Sequence, residues 1–162
     1  MKHSLHYRLL SPRGLSAADA TALVATALGL KRAAEQGLAR ALLRGKHLAV
    51  FADDPTCEAA LAFERAASRL GARVSHVRAH EELLRADGSH VIVLARLYDA
   101  IEWEGLSPEA ALRLQDRIGI PVFNGLAEPG HPLARLLSRM PEPASEEDVL
   151  YLAQAVLMNS IN

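Results

Sequence analysis

The stretch Phe51–Glu64, FADDPTCEAALAFE, gathers Asp53, Asp54, Cys57 and Glu58 at one turn. The apolar run HLAVF leads into it and an Ala-rich helical pattern leaves it, so these side chains stand at a helix N-terminus above a strand end. Free N–H groups and the helix dipole attract anions there, yet the turn holds no basic residue. Asp54 as N-cap, Pro55 at the first helical position and Glu58 in the first turn would satisfy the helix unaided. As a functional pair, Asp54 and Glu58 could instead serve as catalytic carboxylates. Cys57 is placed to become a thiolate, but the flanking acids oppose ionisation and no base accompanies it, so a small buried side chain is the simpler reading. Further on, Arg96 follows the run HVIVLA, and His131 precedes a proline that opens a helical pattern. Arg96 could hold a carbonyl or phosphate oxygen, or pair with Asp53, Asp54 or Glu58. His131 could polarise a carbonyl or hold a turn. His3 with His6 and His76 with His80 have metal-like spacings, but no carboxylate or cysteine clusters with them, so no metal is expected.

These side chains need a frame, and the punctuation of the chain supplies one. Ser16 with Asp19 marks a helix start, and Ala/Leu-rich periodicity runs to about Gln36. Gly37 interrupts it, and LARALLR predicts a short helical piece ending at Gly45. HLAVFA reads as a strand covered on both faces. CEAALAFERAASRLG reads as a helix closed by Gly71, and ARVSHV as a second strand. HVIVLA is expected to be the third strand and IPVFN the fourth. Ser107 and Pro108 open a helix that Gly119 ends. HPLARLLSRM is expected to be helical, PEPAS a linker and SEEDVLYLAQAVLMNSI a last helix.

That order predicts an α/β fold: three layers, a mostly parallel four-stranded sheet and helices on both faces. Ligands in such folds lie outside the carboxyl ends of the strands, here Ala52–Glu58, Arg96–Glu104 and Asn124–His131. Residues 1–162 are expected to form one domain, with a core over 1–140 and a C-terminal helix over 145–162 packing back on it.

The chain has 162 residues, enough to bury a sizeable core. Its net charge of −1 comes from interspersed signs, and 4% of its residues are aromatic. Neither a basic stripe nor stacking platforms for nucleic acid are implied. A single cysteine excludes an internal disulfide and suits a reducing compartment. No run approaches membrane-spanning length, and a cytoplasmic location is expected.

Taken together, the strand ends resemble the carbamoyl-phosphate-binding domain of the aspartate/ornithine carbamoyltransferase family. LAVFADDPTCEAALAFERAASRLGARV is similar to the family's strand, phosphate loop and helix, and it keeps Pro55, Phe63, Glu64, Ala66, Leu70 and Gly71. VIVLARLYD resembles the strand that ends in a carbonyl-binding arginine, which would be Arg96. IPVFNGLAEPGHPLARLL resembles the family's V-P-V-I-N-G-L-x-D-x-x-H-P-x-Q-A-L and is the most specific piece. The resemblance implies ligand contacts at Thr56, Cys57, Glu58, Arg96 and His131. It also implies a trimer, and Trp103 becomes a candidate interface residue or loop anchor.

The departures matter as much. The family's S-T-R-T-R falls on Thr56, Cys57, Glu58, Ala59 and Ala60, so two positive charges become one negative one. The glutamine of H-P-x-Q is Ala134, the segment RAHEELLRADGS is shorter than its family counterpart, and no acceptor domain is recognised. The expectation is a homologue without catalytic residues of its own and without a cofactor, acting as a binding or assembly module. It would be a homotrimer, alone or with a carbamoyltransferase or other enzyme as partner. The alternatives are a small-ligand enzyme or sensor using Arg96 and His131, and a transferase subunit completed by a partner.

Overall fold

The computed structural model describes residues 8–9, 14–78, 89–141 and 144–161. His3, His6, His80 and residues 79–88 of the shortened segment lie outside them. Helix α1 (Ala17–Glu35) begins at the expected capping box, in which Ser16 accepts from the Asp19 N–H and Asp19 accepts from the Ser16 N–H. Strand β1 (His47–Ala52), helix α2 (Glu58–Arg69) and strand β2 (Arg73–Arg78) follow. Then come helix α3 (Ser89–Ala95), strand β3 (Ala100–Trp103), helix α4 (Pro108–Ile118) and strand β4 (Val122–Phe123). A 3-10 helix (Pro132–Arg139) and helix α5 (Glu146–Ser160) complete the described chain.

The sheet has four strands in the order β2-β1-β3-β4, every pair parallel. Alternation along β1 divides the core. Leu48, Val50 and Ala52 face a layer that contains Leu23 and Ala27 of α1, Phe63 and Ala66 of α2, and Leu152 and Val156 of α5. Ala49 and Phe51 face the opposite layer with Val91 of α3 and Ala111 and Leu114 of α4. The three-layer α/β expectation therefore holds.

Helix α5 is apolar nearly all round, as a helix enclosed by others must be. It packs on α1 and α2. Asp148 joins its capping box and receives Lys31 of α1 at 2.8 Å, and Gln154 donates to the Ala66 carbonyl at 3.2 Å.

Several local expectations are corrected. HVIVLA is not a strand; it lies within α3, where Val91 and Ala95, four residues apart, are buried and Val93 is 62% exposed. The place beside β1 belongs to AIEW, all four residues buried. Its internal glutamate disguised it as something less apolar than a central strand. LARALLR forms no helix but a turn at residues 42–45. Helix α2 starts at Glu58 rather than Pro55, with Cys57 as N-cap. Trp103 is core, stacked on Phe51 with ring centroids 4.8 Å apart, and is neither loop anchor nor surface.

Two glycines test this packing in opposite directions. Gly71 turns the chain out of α2 at φ +84°, and a Cβ there would stand 2.7 Å from the Ala41 Cβ. Gly71→Ala is expected to cost about 2 kcal/mol. Gly29 lies inside α1 with nothing within 4 Å of a Cβ, so Gly29→Ala is expected to gain about 1 kcal/mol. Urea-unfolding midpoints of the two variants check both signs.

Candidate functional site

Three segments meet at the carboxyl ends of the strands. After β1, the Asp54 carboxylate accepts from the Thr56 N–H at 2.8 Å and the Thr56 hydroxyl at 2.6 Å. This small side-chain turn holds the Asp54 carboxyl below its usual range, the hydroxyl bond contributing most. Asp54 therefore caps its own turn, not the helix. Cys57, the actual N-cap, makes no side-chain capping bond, and Glu58 alone supplies negative charge to the first helical turn.

After β3 stand two glutamates. Glu102 is wholly buried and accepts from the N–H groups of Gly125 and Leu126, the latter at 3.1 Å. Burial pushes its carboxyl up to about 8, against the pull of those two donors. The Glu104 N–H continues the ladder to the Phe51 carbonyl at 2.9 Å. Its two carboxyl oxygens are buried and find no donor among the described residues. Burial first, then the nearby Glu102 and Glu128 carboxyls, push Glu104 up to about 9.

After β4, the loop Asn124–His131 closes over these groups. Gly125 has φ +82°, a left-handed conformation that favours glycine, and the Glu128 carboxyl end rests against it. The Leu133 N–H donates to His131 Nδ1 at 3.1 Å. The ring proton is therefore on Nε2, which donates to Asn124 Oδ1 at 3.2 Å. Asn124 in turn donates to the Leu106 carbonyl at 3.3 Å. Burial lowers His131 to about 4, so the imidazole is neutral. With both nitrogens engaged, it ties the loop to the 3-10 helix and to the start of α4.

Thr56, Cys57, Glu58 and His131 thus share one end of the sheet. Arg96 does not join them. It precedes β3, where the Asp99 N–H bonds the His47 carbonyl at the beginning of β1. About 13 Å of strand separates that end from the site, so Arg96 stands at the opposite end of the sheet from Thr56, Cys57 and Glu58. Glu102, Glu104 and Glu128 escaped the residue-by-residue reading; the signal was the two charges of AIEWE set in an otherwise apolar stretch. Beside the loop, a cavity of about 450 Å³ is lined by Glu58, Arg65, Glu128, Ala134, Glu146 and Leu150, among others. Among the described residues, no His, Cys, Asp and Glu side chains are grouped to hold a metal ion. What the strand ends offer chemically is a group of acidic side chains, of which the buried Glu102 and Glu104 retain protons, with hydroxyl and backbone donors around them.

A family model described as aspartate/ornithine carbamoyltransferase, carbamoyl-P binding domain, matches residues 8–140. The catabolic ornithine carbamoyltransferase of Burkholderia mallei is 35% identical over 147 residues, 86% of this chain and 43% of that protein. An ornithine carbamoyltransferase of Haemophilus influenzae is 32% identical over 138 residues, 78% of this chain and 40% of its own length. The solved ornithine carbamoyltransferase from Pyrococcus furiosus superposes with a TM-score of 0.69 at 29% identity, over 85% of this chain and 45% of the other. The chain spans less than half the length of these relatives.

The buried groups set a pH dependence whose sign can be worked out. Folded Glu102 and Glu104 keep protons that the unfolded chain releases near the ordinary carboxyl range, so their stability contribution is greatest in acid and is lost as pH rises towards 8–9. His131 acts oppositely: the unfolded chain binds a proton below about 6.5 that the folded ring refuses down to about 4, so stability falls with pH across that window. Above neutrality only the glutamates of this set remain. The unfolding midpoint is expected to fall by a few degrees between pH 7 and 9, and Glu104→Gln is expected to flatten that fall. Thermal melts across this range check it; an unchanged slope in the variant would show that Glu104 is not the source.

Proposed function

Because this chain belongs to the aspartate/ornithine carbamoyltransferase family, within its carbamoyl-phosphate-binding domain, we propose that it is a binding or assembly module that transfers no carbamoyl group. One observation carries this: acids stand at all three strand ends where a dianion would need cations. Glu58 occupies the first turn of α2, Glu104 directly follows β3, and Glu128 lies in the loop after β4. The family resemblance puts a carbonyl-binding arginine at the end of the third strand, and the residue directly after that strand here is Glu104. Two unit charges 4 Å apart interact with about 4 kcal/mol at an effective dielectric near 20. At Glu58, where the family motif has arginine, replacing attraction by repulsion of that size removes several orders of magnitude in affinity, while Glu104, which keeps its proton, supplies no positive charge. Ala134, where the family motif has glutamine, offers no polar contact.

The same reading takes residues 1–162 as one folding unit that works in the cytoplasm and self-associates as a trimer, with or without an enzyme partner. Val93 and Leu97, each more than 60% exposed on and after α3, support a covered face in the assembly. A second reading is favoured by the cavity of about 450 Å³: an uncharged or cationic small ligand could lie there against Glu58 and Glu128. Neither Arg96 nor His131 lines that cavity; its charged groups are Glu58, Glu128, Glu146 and Arg65.

Thermal shift with millimolar carbamoyl phosphate tests the main reading. No rise in melting temperature is expected for the wild type, whereas Glu58→Arg is expected to gain a measurable response. A wild-type rise of several degrees would mean that phosphate is still bound. Light scattering tests the assembly: a trimer mass is expected, and a monomer at every accessible concentration would sink that part.

A further inference from the structure

On the far side of α2 from the strand-end loops, α1, residues 38–42 and α5 enclose a second cavity of about 710 Å³. Small-molecule sites generally measure about 300–1,000 Å³ and are apolar with a few placed polar groups. Here the apolar part comes from Leu30, Leu38, Leu42, Leu70 and Met158. Leu38 and Leu42 are 63% and 48% exposed, so an unusually greasy lip surrounds the opening. Gly29 of α1 also lines it. Glycine is unfavourable inside a helix, and no close approach of another group requires it, since nothing lies within 4 Å of a Cβ built there. Its absent side chain leaves the space open.

The polar groups point to an occupant. Tyr151 and Gln154 line the cavity and are only 7% and 3% exposed. The Tyr151 hydroxyl has no hydrogen-bond partner among the described residues. Gln154 spends its amide N–H on the Ala66 carbonyl at 3.2 Å, and no donor among the described residues meets its carbonyl oxygen. Both oxygens open onto the cavity rather than into the packed interior, so a molecule carrying its own polar group can bond them there. The charges on the lining are unequal. Arg69 is paired with Glu147 at 2.9 Å, whereas Arg40 has no ion-pair partner among the described residues.

We propose that this cavity is a binding site for a small amphipathic carboxylate, with its acid group at Arg40 and its apolar body between Leu38, Leu42 and α5. The site is independent of the strand ends and of the fate of carbamoyl phosphate there.

Sodium octanoate, 1-octanol and octylamine titrated into the full chain, followed by calorimetry and amide NMR shifts, test it. Octanoate is expected to bind saturably, with shifts at Gly29, Leu38, Arg40 and Gln154. Octylamine is expected to bind about 10-fold more weakly or worse, the size of one charge-assisted contact. Arg40→Ala should lower octanoate affinity by about the same factor while leaving octanol unchanged. Gly29→Leu, which fills the cavity on a helix face with room for it, should abolish binding of both without lowering the melting temperature. Octylamine binding as tightly as octanoate, binding that survives Gly29→Leu, or shifts confined to another face would each overturn the proposal. So would a change of oligomeric mass produced by Gly29→Leu, because the cavity would then be a contact between copies of the chain.

Discussion

A carboxyl group at the centre of the sheet holds this molecule's working end together. Glu102 points from β3 into the interior and accepts the N–H groups of Gly125 and Leu126. An acid removed from water is tolerated only with such donors or with a proton, and here both help. Because the two donors belong to the loop after β4, the glutamate fixes where that loop lies. The rest follows from its position: Gly125 turns the loop at φ +82°, a conformation that favours glycine, and His131 is carried into reach of Asn124. The neutral imidazole then closes the path back to Leu106 at the start of α4.

That arrangement has an electrostatic consequence. Glu104 and Glu128 are brought near Glu102 with no cation between them among the described residues, and burial leaves protonation as the remaining way to limit their repulsion. A strand end that in this family's resemblance would meet a phosphate dianion is therefore a place where acidic side chains gather with no ion-paired cation among the described residues. The backbone frame of strand, turn and helix does not depend on which side chains face the crevice. It can persist while the charge there is inverted, because helix and sheet hydrogen bonds and the apolar layers supply its stability.

Helix α5 makes the other decisive contribution. The layer formed by α1 and α2 leaves apolar surface above Leu48 and Val50, and α5 fills it with Leu152, Ala153, Val156 and Leu157. A largely buried helix has few polar anchors to set its position. Asp148 with Lys31 at one end, and Gln154 on the Ala66 carbonyl further along, supply that register. The open cavity lies where α1 and α5 diverge beside residues 38–42, with Gly29 on its wall.

The sequence by itself determined the class of fold, the capped helices α1 and α4, the strands β1 and β2 and the apolar last helix. Those features rest on local signals: Ser16 with Asp19, Ser107 with Pro108, and apolar periodicity that survives without knowledge of neighbours. It also contained the family's signature around Pro55 and His131, since that signature is a matter of residue order. Only the tertiary structure decided which apolar run lies beside β1. HVIVLA has the better strand composition, yet it became α3, because a short segment's choice between helix and strand is settled by what packs on it. AIEW took the central place because the Gly125–Leu126 backbone, close in space though more than twenty residues away in sequence, satisfies Glu102. That exchange moved Arg96 to the wrong end of the sheet and put Glu104 at the right one. No local pattern could report it, because the deciding hydrogen bonds join segments that only folding brings together.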